Sequence, residues 1–171
     1  MIMQRYTVAY RRKRKGRTNY KKRIKLLLGN KPRFIVRKSL MSTYAQIALF
    51  DVKGDKIVAS ASTKELLKKY GWKHGNNISS AYLVGMMLGR KAIKSGIKEA
   101  ILDTGFYSST KGSKIYACLK GAIDAGLKIP HNPEILPTED RLLGKHIENF
   151  VQKSKTIVSD VQNIKTKVIK E

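Results

Sequence analysis

The stretch "NISSAYLVGMMLGRKAIKSGIKEAILDTG", residues 77–105, decides the fold, because it predicts a long helix followed directly by a buried strand. Apolar residues cover a broad helical face as far as Gly96, which predicts a helix of roughly five turns. Gly85 and Gly89 lie four residues apart on it, and we expect them to allow close packing against a sheet. The segment "IKEAILDTG" holds a short, nearly continuous apolar run between breakers, which is typical of a buried central strand.

The residues before this stretch predict three strands and a short helix. "RFIVRKS", "YAQIALFDV" and "VKGDKIVASAS" combine β-branched and aromatic residues with alternating polarity, and the last begins with a Gly-Asp turn. Three consecutive strands of this kind predict an antiparallel meander. "STKELLKKYGW" then predicts a helix that Ser62 or Thr63 caps and Gly71 ends.

The residues after the stretch predict a second amphipathic helix and complete the fold class. It lies in "KGSKIYACLKGAIDAGLKIP", with Ser113 as its N-cap, Gly126 at its end and Cys118 as a small buried hydrophobe. The order β-β-β-α-β-α predicts an α/β fold: a mixed sheet, made of the three-strand antiparallel meander plus a central strand, packed with helices.

Four segments follow one another along the chain. We predict a basic arm at residues 1–30, an α/β globular domain at 31–130, a proline-containing connector at 131–145 and a C-terminal amphipathic helix at 146–171. The apolar positions of this last segment have heptad-like spacing: Ile147, Phe150, Ile157, Val161, Ile164 and Val168. This stripe can pack back on the domain or dock on a partner, and the sequence favours neither.

The charge of the chain indicates a polyanionic partner. Lys and Arg number 36 against 12 Asp and Glu, a formal net charge of +24, and no acidic residue precedes Asp51. Nucleic acid is the first candidate and an anionic membrane the second. No stretch approaches the roughly 20 apolar residues that a membrane helix needs, so we predict a soluble, intracellular protein without a membrane partner.

The basic arm favours RNA among the polyanions. Tyr6, Tyr10 and Tyr20 are interleaved with cations in and before "VAYRRKRKGRTNYKKRIKL", where aromatic rings can stack on unpaired bases while Arg and Lys follow the phosphates. A basic membrane helix would instead segregate its aromatics to one face. A solvated tail without a partner is the alternative.

The arm itself contains a predicted helix: "NYKKRIKLLLGNKP" predicts a short helix closed by Gly29. The candidate contacts of the arm are Tyr10, Arg11, Arg12, Lys13, Arg14, Lys15, Arg17, Thr18, Tyr20, Lys21, Lys22 and Arg23.

A second cationic site is predicted on the domain itself. Alternation along the first strand puts Arg33 and Arg37 on one face of the sheet and the apolar residues on the other, with Lys38 at the end. The loop in "GFYSSTKGSK" supplies hydroxyls, a lysine and a helix N-terminus, which suit a phosphate. The same residues also fit an ordinary strand-to-helix loop with a serine cap.

The chain offers little enzyme chemistry. No zinc-ligand spacing, Walker loop or dinucleotide fingerprint is present, so no metal and no cofactor are predicted. The alternative function is a metal-dependent RNA-processing nuclease that uses Asp51, Asp103 and Asp124. Each of these aspartates also has an ordinary explanation, in a turn, at a strand end and on a solvent-facing helix surface.

Taken together, the segments resemble the L-eighteen family of large-subunit ribosomal proteins in its archaeal and eukaryotic form. The matching stretches include "YRRKRKGRTNYKKRIKLL", "KPRFIVRKS", "KYGWKHGNN", "AYLVGMMLGRKAIKSGIKEAILDTG" and "STKGSKIYACLKGAIDAGLKIPHNPEILP", in order as far as about Ile147. One departure follows "VRKS", where family members often have polar or basic residues and this chain has Leu40 and Met41.

The resemblance implies a structural role without enzymatic activity. It implies a cytoplasmic constituent of the large ribosomal subunit that binds 5S rRNA and anchors it to large-subunit rRNA and neighbouring ribosomal proteins in the central protuberance. By position, the arm from Arg11 to Arg23 would follow the 5S rRNA. The further RNA-binding residues that it implies are Arg33, Arg37, Lys38, Ser39, Ser108, Ser109, Thr110, Lys111, Gly112 and Ser113.

Overall fold

A computed structural model describes residues 7–151 and 156–170 of the chain. Its sheet contains four strands in the order β3-β2-β1-β4. Their bounds are β1 Arg33–Lys38, β2 Thr43–Leu49, β3 Lys56–Ser62 and β4 Ile101–Asp103. The first three pair antiparallel, which confirms the predicted meander, and β4 runs parallel to β1. The predicted α/β class with a mixed sheet is therefore confirmed.

The fourth strand lies at the edge of the sheet, not at its centre. Beyond it, within the described residues, a single bridge joins Glu99 to Lys128, and the backbone N–H of Ala100 donates to the carbonyl of Lys128 at 3.0 Å. This neighbouring segment and the arm cover the edge, since Ile101 lies against Gly29. Ile101 and Leu102 are half-buried there, so the strand is less buried than predicted. An apolar run does not distinguish a partly covered edge strand from a central one, because both bury apolar side chains.

Eight helices occupy the described residues, together with one 3-10 turn at Pro133–Ile135. Their bounds are α1 Arg11–Arg14, α2 Tyr20–Leu27, α3 Thr63–Tyr70, α4 Ile78–Lys94, α5 Lys114–Asp124, α6 Glu139–Leu143, α7 Lys145–Glu148 and α8 Ile157–Lys170. Side-chain caps explain several starts: Ser62 accepts from the backbone N–H of Glu65, and Asn77 accepts from that of Ser80. Ser113 occupies the N-cap of α5 without making a side-chain cap bond.

The core lies on one face of the sheet. Phe34, Val36 and Ile47 point from β1 and β2 toward α4 and α5 and are fully buried. Cys118 is buried on α5, as predicted, and this burial raises the pKa of its thiol. None of the helices in the described ranges is both long and apolar enough to cross a membrane.

The two glycines of α4 contact a helix instead of the sheet, contrary to the prediction. A Cβ atom added at Gly85 would lie 1.9 Å from the carbonyl oxygen of Cys118 on α5. One added at Gly89 would lie 2.7 Å from the Cβ of Ala125. Reciprocally, Gly121 of α5 faces the carbonyl oxygen of Tyr82 at 2.0 Å from its added Cβ. The helices α4 and α5 therefore meet backbone to backbone.

The C-terminal stripe packs back on the domain. Ile157, Val161, Ile164 and Val168 of α8 are buried, and α8 contacts α4. The predicted single segment contains two helices, α7 and α8, with residues 152–155 outside the described ranges. Phe150 does not join the stripe and is largely exposed.

Candidate nucleic-acid interface

The arm lies across the face of the sheet that points away from the core, and polar contacts from α2 hold it there. The guanidinium of Arg23 donates to both carboxylate oxygens of Asp55, at 2.9 and 2.8 Å. The ammonium group of Lys22 donates to the hydroxyl of Thr104 at 2.7 Å and to the carbonyl of Gly105 at 3.2 Å. These bonds join α2 to the β2–β3 turn and to the end of β4, so the arm has a fixed base on the domain.

Below α2, Arg33 is buried between two carboxylates. Its guanidinium lies 2.5 Å from Asp55 and 3.2 Å from Asp103, and only 3% of its side chain is exposed. The prediction grouped Arg33 with the RNA-contacting cations, whereas the structure uses its charge inside the protein. Alternation along β1 placed it on the correct face, but that face is covered here by α2.

Arg37 lies two positions further along the same face and stays partly exposed. It donates to the carbonyl oxygens of Val36 and Asp103 at 2.8 and 2.9 Å, and it meets the Asp103 carboxylate at 3.3 Å. Asp103 also accepts from the backbone N–H of Gly105 at 2.8 Å. Asp103 therefore holds Arg37 in place while the outer side of the guanidinium remains open to a ligand.

Asp55 is a positioning residue that the sequence analysis missed. It lies in the turn "KGDK", where its residue type is explained by turn formation alone. Burial by itself would raise its pKa, but hydrogen bonds and charge from Arg23 and Arg33 outweigh this effect and lower the pKa below its ordinary value. A carboxylate that joins two arginines from separate segments links the arm to the sheet.

Asp55→Asn is expected to destabilise the protein by about 1–2 kcal/mol at neutral pH, since it leaves the buried guanidinium of Arg33 with one carboxylate fewer. Because the folded-state pKa of Asp55 is lowered, its contribution is present above the ordinary pKa of an aspartate and is lost as pH falls through the folded value. Urea unfolding at several pH values checks this. A difference between wild type and variant that does not shrink below about pH 4 would contradict it.

The exposed part of the arm carries cations that no carboxylate neutralises. In the described ranges, none of the following makes an ion pair, and all are exposed: Arg11, Lys13, Arg14, Lys15, Arg17, Lys21 and Lys25. Arg12 donates to the hydroxyl of Thr18 at 2.9 Å, which joins α1 to the start of α2. The rings of Tyr10 and Tyr20 lie 5.2 Å apart at 47°, and Tyr10 is 72% exposed. Tyr6 lies outside the described residues.

The end of β1 and the loop before α5 lie side by side, as the sequence did not reveal. The hydroxyl of Tyr107 donates to the carbonyl of Lys38 at 2.6 Å, and the Lys38 ammonium lies 5.3 Å from the Tyr107 ring centre. Ser39 is tied into its own turn by Ser42. The loop residues Ser108, Ser109, Thr110 and Lys111 are exposed, and Gly112 and Ser113 are half-buried.

A groove of about 450 Å³ connects these elements. Its lining includes Arg12 and Arg17 from the arm, Arg37 from β1 and Tyr107 from the loop that follows β4. The arm, the first strand and the start of the strand-to-helix loop therefore converge on one concave, basic surface. Such a surface can follow a phosphate backbone and offer aromatic rings to unpaired bases.

The three aspartates of the nuclease alternative do not form a metal site. Asp103 is engaged by two arginines, and Asp124 accepts from the Tyr82 hydroxyl and pairs with Lys120, both at 2.9 Å. Asp51 is exposed and accepts from the backbone N–H of Lys53 in a turn. Within residues 7–151 and 156–170, no group of three or more His, Cys, Asp or Glu side chains is arranged to hold a metal ion. The structure does not support the nuclease.

Known proteins share this sequence over most of its length. The family described as "Ribosomal large subunit proteins 60S L5, and 50S L18" matches residues 4–99 and 94–132. The chain belongs to this family. A large ribosomal subunit protein uL18 from Korarchaeum cryptofilum (strain OPF8) is 49% identical over 150 residues, which cover 87% of this chain and 76% of that protein.

Family membership confirms the predicted resemblance and accounts for the surplus charge. The protein is a constituent of the large ribosomal subunit, in the cytoplasm, with rRNA and other ribosomal proteins as the partners that this role implies. A protein of this kind binds RNA through positioned cations and aromatic rings. The groove between the arm and the sheet contains arginines and a tyrosine ring.

Proposed function

We propose that this ribosomal protein binds 5S rRNA and anchors it to large-subunit rRNA in the central protuberance, without enzymatic activity. The observation that carries the proposal is the basic arm, whose unpaired cations are held over the sheet by α2. Phosphate neutralisation by these cations supplies most of the affinity, since each neutralised phosphate releases condensed counterions. The family to which the chain belongs supports an RNA of the large subunit as the partner.

The residues divide into contacting and positioning roles in this proposal. The exposed arm cations, together with Arg37, Lys38 and the hydroxyls and lysine of the loop 108–111, contact RNA. Arg23, Arg33, Asp55 and Asp103 position the arm and strand β1, because their charges already neutralise one another inside the protein. Tyr10, which is exposed beside Tyr20, offers its ring to an unpaired base.

A salt titration of RNA binding tests the proposal. The full chain is titrated with 5S rRNA and with an unrelated structured RNA of the same length, at several salt concentrations. We expect a plot of log K against log salt with a slope of about −5 or steeper for 5S rRNA, from about 0.7 per neutralised phosphate. We also expect 5S rRNA to be preferred by about 100-fold or more at physiological salt. Equal affinity for the two RNAs would contradict the assignment to 5S rRNA.

A further inference from the structure

The β1–β2 turn holds two apolar side chains in water on a rigid backbone. Leu40 is 94% exposed and Met41 is 85% exposed. The backbone around them is fixed at both ends of the turn: the N–H of Ser39 donates to the carbonyl of Ser42 at 2.7 Å, and the N–H of Ser42 donates to the hydroxyl of Ser39 at 3.0 Å. The apolar tip, Leu40 and Met41, is thus presented by an ordered turn.

A third contact fixes the tip from outside the turn. The side-chain amide of Asn76 donates to the carbonyl oxygens of Ser39 and Leu40, at 3.0 and 3.2 Å. Its oxygen accepts from the hydroxyl of Thr43 at 2.8 Å. Binding through the tip therefore loses little backbone entropy, because the ordering has already occurred on folding.

Two lysines, Lys38 and Lys114, lie beside the tip. Lys38 precedes it, and burial together with the charge of Lys38 lowers the pKa of Lys114 across the adjoining cleft. Neither ammonium group is within ion-pair distance of a carboxylate of the described residues. Two neighbouring cations that lack a counterion favour binding to an anionic partner such as RNA. They disfavour binding to a protein surface that has few acidic residues.

The cleft beside the tip has the size and lining for a single nucleotide. It measures about 630 Å³, and Leu40, Ile78 and Tyr107 line it together with Lys38, Ser113 and Lys114. The hydroxyl of Ser113 is buried there and has no hydrogen-bond partner among the residues that the structure describes. Apolar and aromatic walls suit a base or ribose, while the ammonium groups and hydroxyl suit its phosphate.

We propose that the Leu40–Met41 tip and the adjoining cleft bind one unstacked nucleotide of RNA, with the base against Leu40 and Tyr107 and its phosphate at Lys38 and Lys114. This inference rests on the proposed RNA-binding function and deepens it, because it adds Leu40, Tyr107 and Lys114 to Lys38, which already contacts RNA in that proposal. The site adds an apolar contribution to an interface whose other contacts are electrostatic.

The test separates apolar from ionic contacts by their salt dependence. The double variant Leu40→Ser with Met41→Ser is compared with Lys38→Gln in the full chain, with 5S rRNA and the unrelated RNA as probes. The double variant is expected to bind 5S rRNA about tenfold more weakly at every salt concentration, with the slope of log K against log salt unchanged. Lys38→Gln is expected to make that slope shallower by about 0.7–0.9.

Chemical probing of the RNA gives the second readout. The double variant is expected to expose one or two adjacent nucleotides that the wild type protects, with the same melting temperature as the wild type because both side chains lie in water. Affinity and protection unchanged on both RNAs would overturn the proposal and leave the tip as a contact for another protein. If the wild type binds both RNAs with equal affinity, the assignment to 5S rRNA is contradicted. A loss of affinity in the double variant on either RNA would still support the nucleotide site.

Discussion

Gly85→Ala is expected to destabilise the protein by at least about 3 kcal/mol, although alanine is intrinsically the better helix former by about 1 kcal/mol. The added methyl would lie 1.9 Å from the Cys118 carbonyl oxygen and 2.7 Å from its carbonyl carbon. These are backbone atoms of α5, so no side-chain rotation relieves the overlap and the two helices must separate. Separation opens the core that both helices form with the sheet.

Thermal unfolding measures this effect, and for a chain of this size the expected fall in Tm is about 6–12 °C. Gly16→Ala is the matched control. Gly16 has a positive φ of +61°, but no atom of the described residues lies within 4 Å of its added Cβ, so the same substitution there adds backbone strain of about 1 kcal/mol and no clash. If Gly85→Ala lowers the Tm no more than Gly16→Ala does, the added methyl does not push α4 and α5 apart, and the prediction is wrong.

The elements of the fold could be predicted because their causes are local. Alternating polarity predicted the three antiparallel strands. The N-caps Ser62 and Asn77 come directly before the helices that they start, α3 and α4. The packing partners of Gly85 and the edge position of β4 could not be predicted in this way. Paired glycines indicate a close approach of two backbones but do not say whether a helix or a sheet approaches.

The candidate site, too, was predictable where its features are local and not where they depend on distant segments. The unpaired charge and the tyrosines of the arm are visible in the sequence, so the surface and the kind of ligand could be predicted. The burial of Arg33 depends on Asp55 and Asp103, which come from distant segments that meet only in the folded chain. Periodicity gives the face on which a residue lies, whereas exposure depends on what covers that face.

Replacing four arm cations by glutamine is expected to reduce affinity for 5S rRNA by roughly 300-fold at about 0.15 M salt, if the arm binds phosphates as proposed. The substitutions are Arg11→Gln, Lys13→Gln, Arg14→Gln and Lys15→Gln. Each lost phosphate contact removes about 0.7–0.9 from the salt slope, so the four together reduce it by about 3. The helix α1 buries no residue, so the fold and its unfolding temperature are expected to stay unchanged.

The matched control removes an equal number of charges, four, from the helical layer on the opposite face of the sheet. Four exposed lysines there make no ion pair in the described residues: Lys64, Lys68, Lys94 and Lys170. With these changed to glutamine, the net charge equals that of the arm variant, but we expect the salt slope for 5S rRNA to change by less than about 1. Equal losses in both variants would mean that net charge alone attracts the RNA. A loss confined to the arm variant would locate the phosphate contacts in the arm, because the two variants have the same net charge and differ in where the charges were removed.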